Sequence, residues 1–260
     1  DFEANASASG NNTYAVTVTV SDGEANATKA VTITVTDVVE APAGAPSFTA
    51  HDITTSADGA YFVYAVDVDD DGDMDVLCAS EWDDTIAWYE NDGNENFTFH
   101  PINTSASEPT SVYAVDIDGD GDMDVLSSST NDESNLDDIN WYENDGNENF
   151  TKHSITTSSV NTRTVNAADV DGDGDVDVLA ASFEDDTLAW YENDGNENFT
   201  KRTITTSADG AWSVYAVDVD GDGDMDVLST SVNDDTIAWF ENDGSENFGE
   251  HVIAAPSNNA

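Results

Sequence analysis

The sequence predicts an all-β fold: a propeller-type array of four four-stranded blades, preceded by a β-hairpin. Three observations carry that prediction. Near-identical segments begin at Asp67, Asp116, Asp169 and Asp218, spaced 49, 53 and 49 residues apart. Self-similarity at a period of about 50 residues marks a repeat architecture, and four short antiparallel strands per repeat is the size of one blade. Each unit holds four runs rich in β-branched and aromatic residues, punctuated by Asp-Gly and Asn-Asp-Gly. Upstream of the repeats, two segments alternate polar and apolar residues with the period of a strand.

The alternating segments come first in the chain. Residues Asn11 to Val20 place Tyr14, Val16, Val18 and Val20 on one face, and Thr28 to Val38 continue the alternation after a turn at Ser21-Asp22-Gly23-Glu24. Two strands bury no core alone, so this hairpin needs a partner sheet. Next, Pro46-Ser47-Phe48-Thr49-Ala50-His51-Asp52-Ile53 matches Glu246 to Ile253, the fourth strand of the last unit. The chain therefore offers a spare outer strand at 46–55, which must close a ring or pair outside it. Blades are expected at about 57–105, 106–158, 159–207 and 208–256. Strands in the last unit are predicted at Ser213–Val219, Met225–Ser231, Thr236–Glu241 and Phe248–Ile253. The longer middle step reflects four extra residues between Ser129 and Asp138. A lone sheet of this kind leaves both faces wet, so blades must stack; a linear β-solenoid is the alternative, though its rungs are usually shorter.

Charge narrows the function classes. With 56 acidic residues against 5 Lys plus Arg, the formal charge is -51, which excludes nucleic acid as a partner because no cation cluster exists to hold phosphates. No basic membrane-surface patch is present, and no apolar run approaches the roughly 18 residues of a membrane span. Leu, Ile, Val and Phe number 51, and with such a charge composition alone would describe a disordered chain. The repeat order overrules it. Cys78 is the single cysteine, so an intrachain disulfide and a cysteine-built metal site are excluded, and it reads as a small buried residue. Beginning at Asp1 without initiator Met or signal peptide, the chain is expected to be a processed piece of something longer.

The repeats share the run Asp-x-Asp-x-Asp-Gly-x-x-Asp. Positions 1, 3, 5 and 9 are Asp67, Asp69, Asp71 and Asp75; Asp116, Asp118, Asp120 and Asp124; Asp169, Asp171, Asp173 and Asp177; Asp218, Asp220, Asp222 and Asp226. Four carboxylates within nine residues repel one another, and the cluster is favourable around a hard cation that takes oxygen ligands. Calcium fits best, since it accepts six to eight oxygens in loose geometry while magnesium wants fewer in rigid octahedral array. Position 7 (Asp73, Asp122, Asp175, Asp224) can add a backbone carbonyl, and the glycine at position 6 permits the sharp turn. An EF-hand is excluded: position 12 is Cys78, Ser127, Ala180 or Ser229 rather than Glu, and strands flank the loop. The bland alternative, a polar hairpin turn without metal, weakens when one spacing recurs four times.

These residues resemble FG-GAP or VCBS-type repeats, the family whose blades also build the integrin α-subunit propeller and many large bacterial surface proteins. The resemblance covers Pro46 to Pro256 and implies about four calcium ions, one in each loop joining an innermost strand to the next. That family commonly closes with seven blades and this chain has four, so a four-bladed ring or a larger, intermolecular array is implied. The first 42 residues resemble the C-terminal half of a bacterial cadherin-like sandwich domain, ending in the linker Thr36-Asp37-Val38-Val39-Glu40-Ala41-Pro42. Val39 stands where that family carries an Asn calcium ligand.

Other candidate chemistry is weaker. Trp88, Trp141, Trp190 and Trp239 recur in the third strand and can stack on sugar rings, though repeated aromatics there more often pack blades together. Seven Asn-x-Ser/Thr triplets, at Asn5, Asn11, Asn26, Asn96, Asn103, Asn149 and Asn198, arise readily in an Asn- and Thr-rich chain. His51, His100, His153 and His251 fall at equivalent outer-strand positions, which speaks for repeat structure rather than a catalytic triad. Identical loops also deny two carboxylates the differing environments a glycosidase needs. The expectation is a non-enzymatic, extracellular, calcium-binding structural or adhesion module. Its partners are expected to be copies of itself, in a head-to-tail fibre built by strand sharing, or cell-surface glycans and proteins. A glycan-binding propeller lectin and an accessory module of a secreted polysaccharide-degrading enzyme are the alternatives.

Overall fold

A computed structural model of the chain describes the backbone of residues 13–21 and 26–34, and residues 49–130 and 137–255 in full. Two compact units emerge, Asp1–His51 and Asp52–Ala260. In the first, β1 (Thr13–Ser21) and β2 (Asn26–Thr34) pair antiparallel, with Thr13 opposite Thr34 and Ser21 opposite Asn26. This is the expected hairpin. Its turn and the linker of 36–42 lie outside the described residues.

The second unit is four sheets of four strands, each a meander in sequence order, with no helix among the described residues. The first sheet is β3 (Ala60–Val66), β4 (Asp75–Ser80), β5 (Thr85–Asn91) and β6 (Phe97–Asn103). The second is β7 (Pro109–Val115), β8 (Asp124–Ser129), β9 (Asp137–Asn144) and β10 (Phe150–Ser159). The third is β11 (Thr162–Ala168), β12 (Asp177–Ser182), β13 (Thr187–Asn193) and β14 (Phe199–Thr205). The fourth is β15 (Ala211–Val217), β16 (Asp226–Ser231), β17 (Thr236–Asn242) and β18 (Phe248–Ala254). β15 begins two residues before its predicted start, with Ala211 paired to Ser231, and ends two residues early because Asp218 and Val219 are drawn into the loop that follows.

Of the spare outer strand expected at 46–55, residues 49–55 are described and none is in a strand. Each of the four sheets is built from strands within 60–254, and residues 49–55 belong to none of them. The extra residues of the second unit fall between β8 and β9, where 131–136 lie outside the described residues. β10 runs ten residues, and its Ser159 pairs with Asp137.

Strand alternation gives every sheet two distinct faces. One carries a Leu-Trp pair in cross-strand register: Leu77 with Trp88, Leu126 with Trp141, Leu179 with Trp190, Leu228 with Trp239. The other pairs Val with an aromatic: Val76 with Tyr89, Val125 with Tyr142, Val178 with Tyr191, Val227 with Phe240. The Leu-Trp face of each of the first three sheets packs on the Val-aromatic face of the next, giving three hydrophobic layers. Innermost strands lie side by side in the order β3, β7, β11, β15. Among the described residues β15 makes no comparable contact with β3, so the stack is open and the four sheets do not close on themselves. Cys78 is buried on β4, as its composition suggests.

Candidate metal centre

Each aspartate loop connects the first strand of a sheet to the second, and its position 9 is the first residue of that second strand. The backbone winds around its own carboxylates. At position 1, Asp116 accepts from the N–H of Gly119 (2.8 Å) and Gly121 (3.0 Å), and Asp169 from Gly172 (2.8 Å) and Gly174 (3.0 Å). Asp67 and Asp218 accept from the equivalent glycines, Gly72 (2.9 Å) and Gly223 (3.2 Å). Asp69, Asp118, Asp171 and Asp220 at position 3 accept from the N–H two residues on, and so do Asp71, Asp120, Asp173 and Asp222 at position 5. The position 6 glycines adopt φ of 95 to 104°, a region closed to side chains.

Position 9 plays a part that spacing does not reveal. Asp75, Asp124, Asp177 and Asp226 are fully buried, and both oxygens of each accept a backbone N–H. Asp124 holds Ile117 at 2.9 Å and Asn144 at 2.8 Å; Asp177 holds Val170 and Asn193 at the same distances. These carboxylates pin the loop to the end of the third strand. Asn91, Asn144, Asn193 and Asn242 complete the brace. Each donates its side-chain amide to the position 8 carbonyl and accepts from the following glycine N–H. In sequence Asn-Asp-Gly marks a hairpin turn between third and fourth strands, and its strict recurrence is the one sign there of this second duty.

Three carboxylates converge in every loop, with ligand oxygens within 4.8 Å of one another: Asp67, Asp69 and Asp71; Asp116, Asp118 and Asp124; Asp169, Asp171 and Asp177; Asp218, Asp220 and Asp226. Positions 1 and 3 are thus common to all, joined by position 5 in the first loop and position 9 in the others. Asp73, Asp122, Asp175 and Asp224 at position 7 turn their side chains away. Each carboxylate lies against the glycine of the Asn-Asp-Gly turn, where a Cβ would sit only 2.4 or 2.5 Å from an oxygen. If position 7 contributes a ligand atom, it is the backbone carbonyl.

The electrostatics call for a cation. Ionised carboxylates this close repel by roughly 3 kcal/mol per pair at an effective dielectric near 20. Burial, with a smaller push from neighbouring loop aspartates, raises Asp124 and Asp177 to about 7 against the pull of their backbone N–H bonds. Burial also raises Asp75, and it is the leading cause of the upward shifts of Asp69, Asp118, Asp171 and Asp220. The loops therefore resist holding three ionised groups unless positive charge is supplied. An oxygen-only donor set on a glycine-wound loop fits calcium.

The other singled-out side chains have structural partners. Trp88, Trp141 and Trp190 are each 1% exposed between sheets, so no sugar ring can reach them. His100, His153 and His251 each stack on the Trp of the neighbouring strand, at 4.5 to 4.6 Å, and bond a Glu at 2.7 Å. In the third sheet Arg202 takes that place and bonds Glu192 at 2.7 Å.

Fold and site together define a class: an all-β repeat protein in which each sheet carries an aspartate-lined, oxygen-only loop between its first two strands. The FG-GAP-like repeat family matches residues 67–127, 129–180 and 169–229, more than half of the chain, and the chain belongs to that family. No curated protein matches the chain.

Proposed function

We propose that this chain is a non-enzymatic, calcium-binding structural or adhesion module of an extracellular, bacterial surface protein, its sheets acting as blades of a propeller-type array. The observation that supports it is the convergence of carboxylate oxygens at positions 1 and 3, with 5 or 9, in all four loops. Asp67, Asp69 and Asp71 would hold the first ion, and the corresponding groups around Asp124, Asp177 and Asp226 the others, with position 7 adding a carbonyl. A bound calcium supplies the charge that cancels carboxylate repulsion and ties each loop to the strand that follows. Because the unfolded chain has no preformed sites, that binding energy becomes folding energy. FG-GAP-like repeats occur in extracellular proteins, and no helix among the described residues is long and apolar enough to cross a membrane. Millimolar calcium outside cells suits sites of roughly 10⁻⁴ to 10⁻³ M affinity.

Thermal unfolding with calcium and with chelator tests the reading. The melting temperature is expected to fall markedly on chelation and to recover on adding calcium. Equal melts under both conditions would sink the assignment.

A further inference from the structure

Near the start of its first strand each sheet bulges by one residue, Tyr61, Thr110, Arg163 and Trp212 in turn. A bulge leaves its residue out of the ladder and re-aims the side chain. Neighbouring bulges set Arg163 of the third sheet beside Trp212 of the fourth, with the guanidinium carbon 5.2 Å from the Trp212 ring centre. The ring of Phe183, the first residue after β12, lies 5.4 Å from the same carbon and meets Trp212 edge-on at 6.0 Å. Thr164 ties the two sheets together there, donating its hydroxyl to the Trp212 carbonyl at 2.8 Å.

The blade itself does not require these three side chains. At the bulge the other sheets carry Tyr61 and Thr110, and where Phe183 stands they carry Glu81, Thr130 and Val232, each making the same backbone bond to the connection before its sheet. Three departures from the repeat thus meet at one place. Arg163 is half-buried in a chain with 56 acidic residues, and among the described residues no carboxylate pairs with it. Glu184, next to Phe183 in the chain, accepts from Asn161 instead, at 3.3 Å. The Arg163 Nε is sealed from solvent without a partner, while its two terminal nitrogens are not sealed. A guanidinium fork held against aromatic rings and left without an acceptor suits a carboxylate, whose two oxygens match it bidentately.

We propose that Arg163, Trp212 and Phe183 form a binding site for an acidic sugar at the end of a glycan. Arg163 takes the carboxylate, and the Trp212 ring, 38% exposed where the third-strand tryptophans are sealed, takes the face of the pyranose. Two observations favour that ligand over other carboxylates. A peptide strand docks by pairing with a sheet edge, and neighbouring side chains already occupy this one. Thr110 donates to the Thr162 carbonyl at 2.8 Å, and the N–H groups of Val165 and Ala216 donate to Ser111 Oγ (3.4 Å) and Asn166 Oδ1 (3.1 Å). A polyanion is opposed by the chain's charge of -51, whereas one carboxylate meets one cation at short range. The site lies at the opposite end of the strands from the aspartate loops and does not depend on what those loops bind.

Saturation-transfer NMR on the whole chain, with calcium present, tests the site with methyl glucuronide, methyl galacturonide, methyl glucoside and acetate. At least one uronide is expected to bind saturably, and the glucoside and acetate roughly tenfold more weakly or worse, since each lacks half of the contact. Arg163→Gln is expected to weaken the uronide roughly tenfold or more, and Trp212→Leu roughly threefold to tenfold, with circular dichroism and melting temperature unchanged. Should Arg163→Gln fail to fold, Arg163→Lys keeps the charge without the fork and is also expected to bind more weakly. No saturable binding of either uronide, a glucoside that binds as well, or variants that bind as the unaltered chain does would each overturn the proposal. Acetate binding as tightly as the uronides would overturn the sugar assignment. Melts that respond to chelator without any uronide binding would reject this inference and leave the calcium reading standing.

Discussion

At position 4 of the loops three units carry glycine, Gly119, Gly172 and Gly221, with φ between 76 and 81°, while the first carries Asp70 at φ 58°. A left-handed conformation costs a non-glycine residue roughly 1 kcal/mol. Asp70→Gly is therefore expected to stabilise the protein by about that amount or less, since glycine also loses more chain entropy on folding. Urea unfolding of the two proteins measures it. Position 6 offers no such tolerance: at φ 99°, Gly174→Ala should lose about 1 to 3 kcal/mol. Asp124 is the more consequential residue, because its removal leaves the buried N–H groups of Ile117 and Asn144 without acceptors. Each orphaned donor costs about 1 to 3 kcal/mol, so Asp124→Ala should unfold at markedly lower urea, and should do so in chelator as well as in calcium. A pure metal ligand would show its effect in calcium alone.

Turns and strands are the next scale. In three Asn-Asp-Gly turns the aspartates Asp92, Asp145 and Asp194 accept hydrogen bonds first from the side chains of Asn96, Asn149 and Asn198, and their carboxyls are held below the ordinary value of 3.8. A folded-state value below the unfolded one means stability that is present above pH 3.8 and lost as pH falls through the lower folded value. Asn198→Ala should thus lower the melting temperature slightly near neutral pH, and the difference from the unaltered protein should vanish in strong acid. Between sheets the energetics are larger. Trp190 is fully buried in the layer between third and fourth sheets, and Trp190→Ala should cost about 3 to 5 kcal/mol. Any loss of glycan binding by that variant would therefore report damage to the core rather than removal of a sugar platform.

Over the whole molecule, the charge of -51 sets the conditions under which the fold survives. Self-repulsion opposes the compact state, and salt screens it. In chelator the melting temperature is expected to climb with monovalent salt, whereas in saturating calcium, with part of the charge neutralised, the same salt series should move it less.

What the sequence by itself determined was everything local and periodic. Four repeats, four strands in each, the hairpin of 13–34 and the aspartate loops between first and second strands are all written in spacing, because strand period and turn chemistry act over a few residues. Tertiary structure decided what depends on partners distant in the chain. It gave one row of aspartates different duties: positions 1 and 3 converge in every loop, position 9 is a buried staple that also joins the cluster in three loops, and position 7 turns its side chain onto a glycine. It also enlisted the Asn-Asp-Gly turn as a brace and sealed three tryptophans that sequence alone left open as sugar platforms. Above all it set the ends of the stack apart from its middle. Ile86 and Ile237 sit in like surroundings of sequence, and only the presence or absence of a neighbouring sheet makes one core and the other surface.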